Sequence, residues 1–159
     1  MKNILFIVFG FAILLGCDSN DNHDTLQKDD YLIFGHFYGM CIGESCIEIF
    51  KLTENALYED TVDSYTMESF DFETLLDTDT FGAVKDLTDY FPQNLWSKNE
   101  AIIGCPDCAD GGGLYIEYSK KGTVKKWRID QTKQNIPDYL HEFVGMVNKK
   151  IALINKVNQ

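Results

Sequence analysis

Basic residues are scarce in this 159-residue chain: 14 Lys and Arg stand against 25 Asp and Glu, a formal charge of −11 at pH 7. So acidic a body repels phosphate backbones, which counts against nucleic acid as a partner, and its net field also opposes anionic lipid surfaces. Long apolar runs are missing too. The longest, residues 4–15, is interrupted only by Gly10 and is too short to cross a bilayer core as a helix. Histidine is rare, and beyond residue 30 only His36 and His141 occur. Neither has a Ser or Cys partner at the spacing of a nucleophile–base pair, so no catalytic residue is assigned and an enzymatic role is not expected. The glycine run 111–113 lacks the strand-before, helix-after setting of a phosphate loop. Asp107 and Asp110 beside it would repel phosphate, so the segment reads as a tight turn.

What is present begins at the N-terminus. Lys2 precedes the apolar run, and the run ends in Leu14-Leu15-Gly16-Cys17. A positive start, a short apolar segment and a small residue directly before a cysteine resemble the lipobox signal of bacterial lipoproteins. The resemblance implies that residues 1–16 are a cleaved signal peptide. It also implies that Cys17 becomes the N-terminus and carries diacylglycerol and fatty acyl chains of the palmitate kind on its sulfur. Loss of Lys2 would leave the mature chain one unit more negative. Each buried methylene adds about 0.8 kcal/mol, so two or three chains give a durable bilayer anchor without a transmembrane helix.

Residues 17–30 follow as the lipidated cysteine and a polar, Asp-rich segment without apolar period, expected to act as a flexible acidic tether. Asp18, Asn20, Asn22 and Asp29 mimic the 1, 3, 5 and 12 positions of a calcium loop, but His23 stands where that loop needs Gly. In lipoproteins, acidic residues after the acylated cysteine act as sorting signals, for inner-membrane retention in some groups and surface export in others. The expectation here is a lipid-anchored envelope protein, at the outer membrane or cell surface rather than the inner membrane.

Four cysteines remain, as C-x4-C at Cys41 and Cys46 and C-P-D-C at Cys105 and Cys108. Three chemistries compete for them. An even number in an exported domain favours disulfides, with three possible connectivities. Local closure of each pair would contribute about 2 kcal/mol per bridge, and crosswise bridges about 4 kcal/mol each. A tetrahedral zinc site of four thiolates would also use two short-spaced pairs. A redox-active C-x-x-C is the third reading, with Cys105 as the attacking thiolate. It lacks a βαβ setting and a helix start, and Asp107 and Asp110 would raise the thiol pKa.

From residue 31 to 159 the pattern is that of one domain. Residues 31–38, 46–52, 56–59, 114–119 and 123–129 read as strands from their β-branched, aromatic and alternating character. Residues 60–65 are polar and leave the sheet. Phe81, Val84, Leu87 and Phe91 recur at helical spacing over 79–91, with Asp79 or Thr80 as N-cap and Pro92 as the stop. Ile136, Tyr139, Leu140, Phe143, Val144, Val147, Ile151 and Ile154 predict a long terminal amphipathic helix started at Pro137. The expected fold is α+β: an antiparallel sheet of about five strands in two hairpin units, with two helices on one face. The charged residues of the 114–129 hairpin read as a solvated face.

The order of these elements resembles an uncharacterised domain of small exported bacterial lipoproteins. The shared features are Cys41-Ile42-Gly43-Glu44-Ser45-Cys46, the 79–91 helix, the 114–129 hairpin and the Pro137 helix. The resemblance brings no activity with it. The functional expectation is a binding or envelope-associated module; the alternative is thiol–disulfide or zinc chemistry at the two cysteine pairs.

Overall fold

Alternating apolar side chains along the strands leave two faces to be covered, and the chain covers them by different means. The structure, a computed structural model, describes residues 26–157. Cys17 and the residues before it lie outside that range. The strands are β1 (Tyr31–Phe37), β2 (Ile47–Thr53), β3 (Leu57–Glu59), β4 (Thr74–Leu75), β5 (Ile102–Ile103), β6 (Gly113–Lys120) and β7 (Thr123–Asp130). The helices are α1 (Thr78–Val84), α2 (Gln93–Trp96) and α3 (His141–Val157).

The fold is α+β as expected, but the sheet has seven strands in the order β4-β3-β2-β1-β6-β7-β5, and it is mixed. β1 sits at the centre, antiparallel to β2 on one side and to β6 on the other. The expected five strands all form. The two additions are two-residue edge strands: β4 antiparallel to β3, and β5 parallel to β7. Two residues carry no readable period, which is why neither was expected. The β6–β7 turn places Lys121 and Gly122 at φ of 51° and 76°, the left-handed pair that a two-residue hairpin needs.

All helices pack on one face. There Leu32, Phe34, Phe50, Leu52, Ile116 and Trp127 of the sheet meet Val84, Leu87, Phe143, Val147 and Ile151, all buried. Phe91 sits at the middle of an aromatic cluster, 4.8 Å from Tyr118 and 5.4 Å from Phe143 between ring centroids. The expected 79–91 helix is shorter than its periodicity: α1 ends at Val84 and a 3-10 helix continues over Lys85–Tyr90. Its N-cap is Asp77, not Asp79 or Thr80, because the Asp77 carboxylate accepts from the backbone N–H of both (2.8 and 2.9 Å). Likewise Pro137 and the 3-10 turn Asp138–Leu140 precede α3, which starts at His141.

The other face is partly covered by an irregular strap, residues 60–73. Met67, Phe70 and Phe72 pack there on Ile33, Phe37, Ile49 and Tyr115. Asp60 is buried at the base of the strap and accepts from the N–H of Asp63 and Asp71. In the segment read as tether, Leu26 joins the helix-side core and Asp30 is buried, accepting from the N–H of Gln27 and Lys121.

Candidate functional site

Antiparallel geometry brings both cysteine motifs to one end of the sheet. Cys41–Cys46 lies in the β1–β2 connection, and Cys105–Cys108 precedes β6, whose first residue Gly113 pairs with Phe37 at the end of β1. The cysteines form two close pairs, Cys41 with Cys46 and Cys105 with Cys108, at Cα separations of 5.6 and 5.4 Å. Both lie in the disulfide range, and of the three connectivities this is the local one. Each pair closes on itself instead of contributing to a four-sulfur cluster. Among the described residues no three His, Cys, Asp or Glu side chains gather as a metal-ligand set.

Asp107 joins the two motifs. Its Oδ2 accepts from the Gly39 N–H (3.0 Å), next to the first motif, and from the Tyr65 hydroxyl (2.8 Å) of the strap; its Oδ1 accepts from the Gly112 N–H (3.1 Å). Burial acts to raise the Asp107 pKa, but the bonds from Tyr65, Gly39 and Gly112, with the Arg128 charge, outweigh it and hold the carboxyl below its ordinary value. Arg128 completes the arrangement. Its guanidinium carbon stands 4.5 Å from the Phe37 ring centroid and 5.3 Å from that of Tyr65, and it donates to the Tyr65 carbonyl at 2.9 Å.

The 105–112 segment is a knot of turns, with Asp107, Ala109 and Asp110 all at positive φ. Only glycine takes Gly112's place: at φ +70°, an added Cβ would also strike the Tyr38 ring. Asp130 anchors the segment from below, accepting from the Cys105 N–H (3.1 Å), the Thr132 N–H (2.8 Å) and the Asn135 amide (2.7 Å). The Asp130 carboxylate accepts from the Cys105 N–H, which places a negative charge beside that cysteine and disfavours a thiolate there, and no helix begins at it.

No family model, curated protein or solved structure matches the chain.

A second cluster lies nearer the middle of the strap-side face. Glu117 is buried, accepting from the hydroxyls of Tyr31 (2.8 Å) and Tyr115 (2.7 Å), and its carboxylate pairs with Lys126 at 3.0 Å. This corrects the reading of the hairpin charges as a solvated face. The 114–129 hairpin turns Glu117 into the sheet face because Tyr31 on β1 and Lys126 on β7 stand at neighbouring positions. Burial alone would raise the Glu117 pKa; the bonds from Tyr115, Lys126 and Tyr31 reverse that and lower it. The Tyr31 phenol is pushed up to about 12 by burial and by its bond to Glu117, and Tyr115 is raised further for the same reasons. The signal was present in the sequence as Tyr115 and Glu117 two residues apart on one face, with a lysine on the partner strand.

Of the histidines, His36 Nε2 lies 2.8 Å from the Glu48 carboxylate and 3.1 Å from the Ser45 carbonyl. His141 Nε2 lies 2.9 Å from the Lys133 carbonyl. Both serve as local ties.

Proposed function

We propose that the protein is an exported lipoprotein, cleaved after residue 16, acylated at Cys17 and held at the cell envelope, where its disulfide-braced domain acts as a non-enzymatic binding module. The single observation behind this reading is the pairing of cysteines. Cys41 closes on Cys46 and Cys105 on Cys108, which pairs the four cysteines among the described residues; the fifth in the sequence, Cys17, directly follows Leu14-Leu15-Gly16. A domain with two local bridges suits an oxidising compartment, and a cysteine directly after a short apolar run and a small residue suits acylation.

The bridges act as structure in this reading, since the Asp130 carboxylate on the Cys105 N–H works against a reactive thiolate. The alternative, a thiol–disulfide or zinc-dependent envelope protein, predicts thiols that cycle at a mild potential or hold one equivalent of zinc. Mass spectrometry of the protein isolated from its own cells tests the proposal. The expected N-terminal peptide begins at Cys17 and carries acyl mass, and Cys17→Ser abolishes incorporation of a fatty-acid label. A retained Met1, or an unmodified residue 17, would overturn it.

A further inference from the structure

The two bridges differ in their surroundings. Cys105 and Cys108 are both exposed, whereas Cys46 of the other pair is buried at 4%. An exposed disulfide is the one that an external thiol reaches first. Between Cys105 and Cys108 lie only Pro106 and Asp107, and Asp107 is the residue whose Oδ2 takes the Tyr65 hydroxyl at 2.8 Å and the Gly39 N–H at 3.0 Å. The carboxylate that ties down the strap is therefore carried by the ring that the bridge closes.

That ring and the strap are both held away from ordinary backbone geometry. Asp107, Ala109 and Asp110 have φ of 63°, 52° and 58°; on the strap Asp63 and Met67, on either side of Tyr65, have φ of 49° and 57°. For residues with a Cβ the left-handed region is unfavourable, and contacts elsewhere must hold it. Tyr65 is held by its bond to Asp107, by the Arg128 guanidinium on its carbonyl at 2.9 Å, and by its ring edge against Phe37 at 5.7 Å between centroids. Asp60 holds the foot of the strap separately, through the N–H groups of Asp63 and Asp71, and Phe70 packs 5.4 Å from Tyr115. The turn around Tyr65 thus depends on Asp107, and the rest of the strap does not.

We infer that the Cys105–Cys108 disulfide is a redox latch on the strap. Closed, it presents Asp107 to Tyr65; opened by a dithiol reductant, it lets the turn 63–67 lift off Phe37. Met67 lifts with the turn, and its cluster partners Ile33, Phe37, Ile49 and Tyr115 lose part of their cover. In a binding module, the oxidised protein is then the covered state and the reduced protein the open one.

The exchange runs in two steps. One thiolate of the reductant attacks a sulfur of the bridge and forms a mixed disulfide, while the other sulfur leaves as a thiolate and takes a proton. The second thiolate of the reductant then displaces the protein sulfur, which is protonated in turn. The protein gains two electrons and two protons, and the reductant leaves as its own disulfide. Once the ring is open, Asp107 relaxes out of the left-handed region and its carboxylate leaves Gly39 and Tyr65. The bridge is here the target of a reductant and passes no disulfide on, and the latch needs no anchor at Cys17.

The test uses the whole protein as isolated from its cells. It is treated with dithiothreitol at graded concentrations under native conditions, the freed thiols are alkylated, and the reductant is removed. A brief pulse of hydrogen peroxide then oxidises accessible methionines, and mass spectrometry reads both the sulfoxides and the alkylated cysteines. Met67 is 7% exposed; Met40, at 80%, and Met146, packed on the helix-side core, serve as internal controls. Cys105 and Cys108 should alkylate at lower dithiothreitol than Cys41 and Cys46. Opening them should raise Met67 sulfoxide formation about fivefold, the factor that losing one hydrogen bond of ordinary strength gives. Met40 and Met146 should hold their rates. Cys105→Ser with Cys108→Ser should show the raised rate without reductant, and Cys41→Ser with Cys46→Ser the low one. In Tyr65→Phe the oxidised protein should already show the raised rate, and reduction should add little to it.

An unchanged Met67 rate once Cys105 and Cys108 are alkylated overturns the proposal. So does a rise that Met146 shares, which is general loosening, or an equal rise from opening Cys41–Cys46 alone. Reduction of Cys41–Cys46 before Cys105–Cys108 overturns it as well. The mass at residue 17, read on the same digest, reports separately on the anchor.

Discussion

The Tyr65 hydroxyl donates to Asp107 at 2.8 Å across 42 residues of sequence. This bond ties the strap over one sheet face to the turn that holds Cys105 and Cys108. Asp107 also accepts from Gly39, so three irregular segments share one carboxylate. Asp107→Ala removes every one of these acceptors and should destabilise the domain by about 1–2 kcal/mol, reduced from the sum of the bonds by solvent screening. Tyr65→Phe should cost about 0.5–1 kcal/mol. Urea unfolding of the two single variants and the double variant should return less than the sum of the two. The Asp107 pKa is lowered in the fold, so its contribution is present above the unfolded value and is lost as pH falls through the folded one.

Non-reducing digestion should yield one cross-linked peptide containing Cys41 and Cys46, another containing Cys105 and Cys108, and none joining the motifs. The closed loops are short, so reduction should lower stability by only about 2 kcal/mol per bridge and leave a folded domain. Thermal unfolding with and without reductant checks this. A collapse on reduction would speak for long-range bridges.

Glu117 carries a sharper cost than its hairpin position suggests. Glu117→Ala leaves the buried Tyr115 phenol and the half-buried Tyr31 phenol without their acceptor and should destabilise by about 2–4 kcal/mol, against about 1 kcal/mol for Tyr31→Phe. The tyrosines set an alkaline limit. Tyr31 is raised to about 12 in the fold, so its contribution is intact below the unfolded value near 10 and disappears as pH climbs through 12. Phenolate absorbance during an alkaline titration should show Tyr31 and Tyr115 as the last tyrosines to ionise, together with unfolding.

Two glycines predict opposite signs. At Gly35 a Cβ would run into the Glu48 carbonyl and the Ile49 backbone of the paired strand, so Gly35→Ala should cost about 2–3 kcal/mol. At Gly82 in α1 nothing lies within 4 Å, so Gly82→Ala should gain about 0.5–1 kcal/mol of helix propensity. Melting temperatures of the pair check both.

Much of the fold was legible because long elements write their period into the chain. β1, β2, β6, β7 and the terminal helix were each readable from alternation or from 3.6-residue spacing. The 3-10 continuation after Val84 was not, since Phe81, Leu87 and Phe91 suit either helix over so short a span. The strap's Phe70 and Phe72 carried no period that pointed to a second covered face. At the cysteine end, the two motifs were visible, but their juxtaposition depends on β1 pairing with β6, a long-range fact. Asp107 read as turn acidity and Asp130 carried no reading at all; both turn out to satisfy backbone donors, a role that burial and geometry reveal and composition does not.

The strand order has a consequence for how the chain is made. β1, the earliest strand, is the central one, and its second neighbour is β6, with Tyr31 opposite Ser119. A polypeptide emerging from its N-terminus therefore holds a half-paired middle strand until three-quarters of its length is out, and such non-local closure is slow. Until residues 113–120 arrive, the middle strand lacks its second partner and the sheet cannot close.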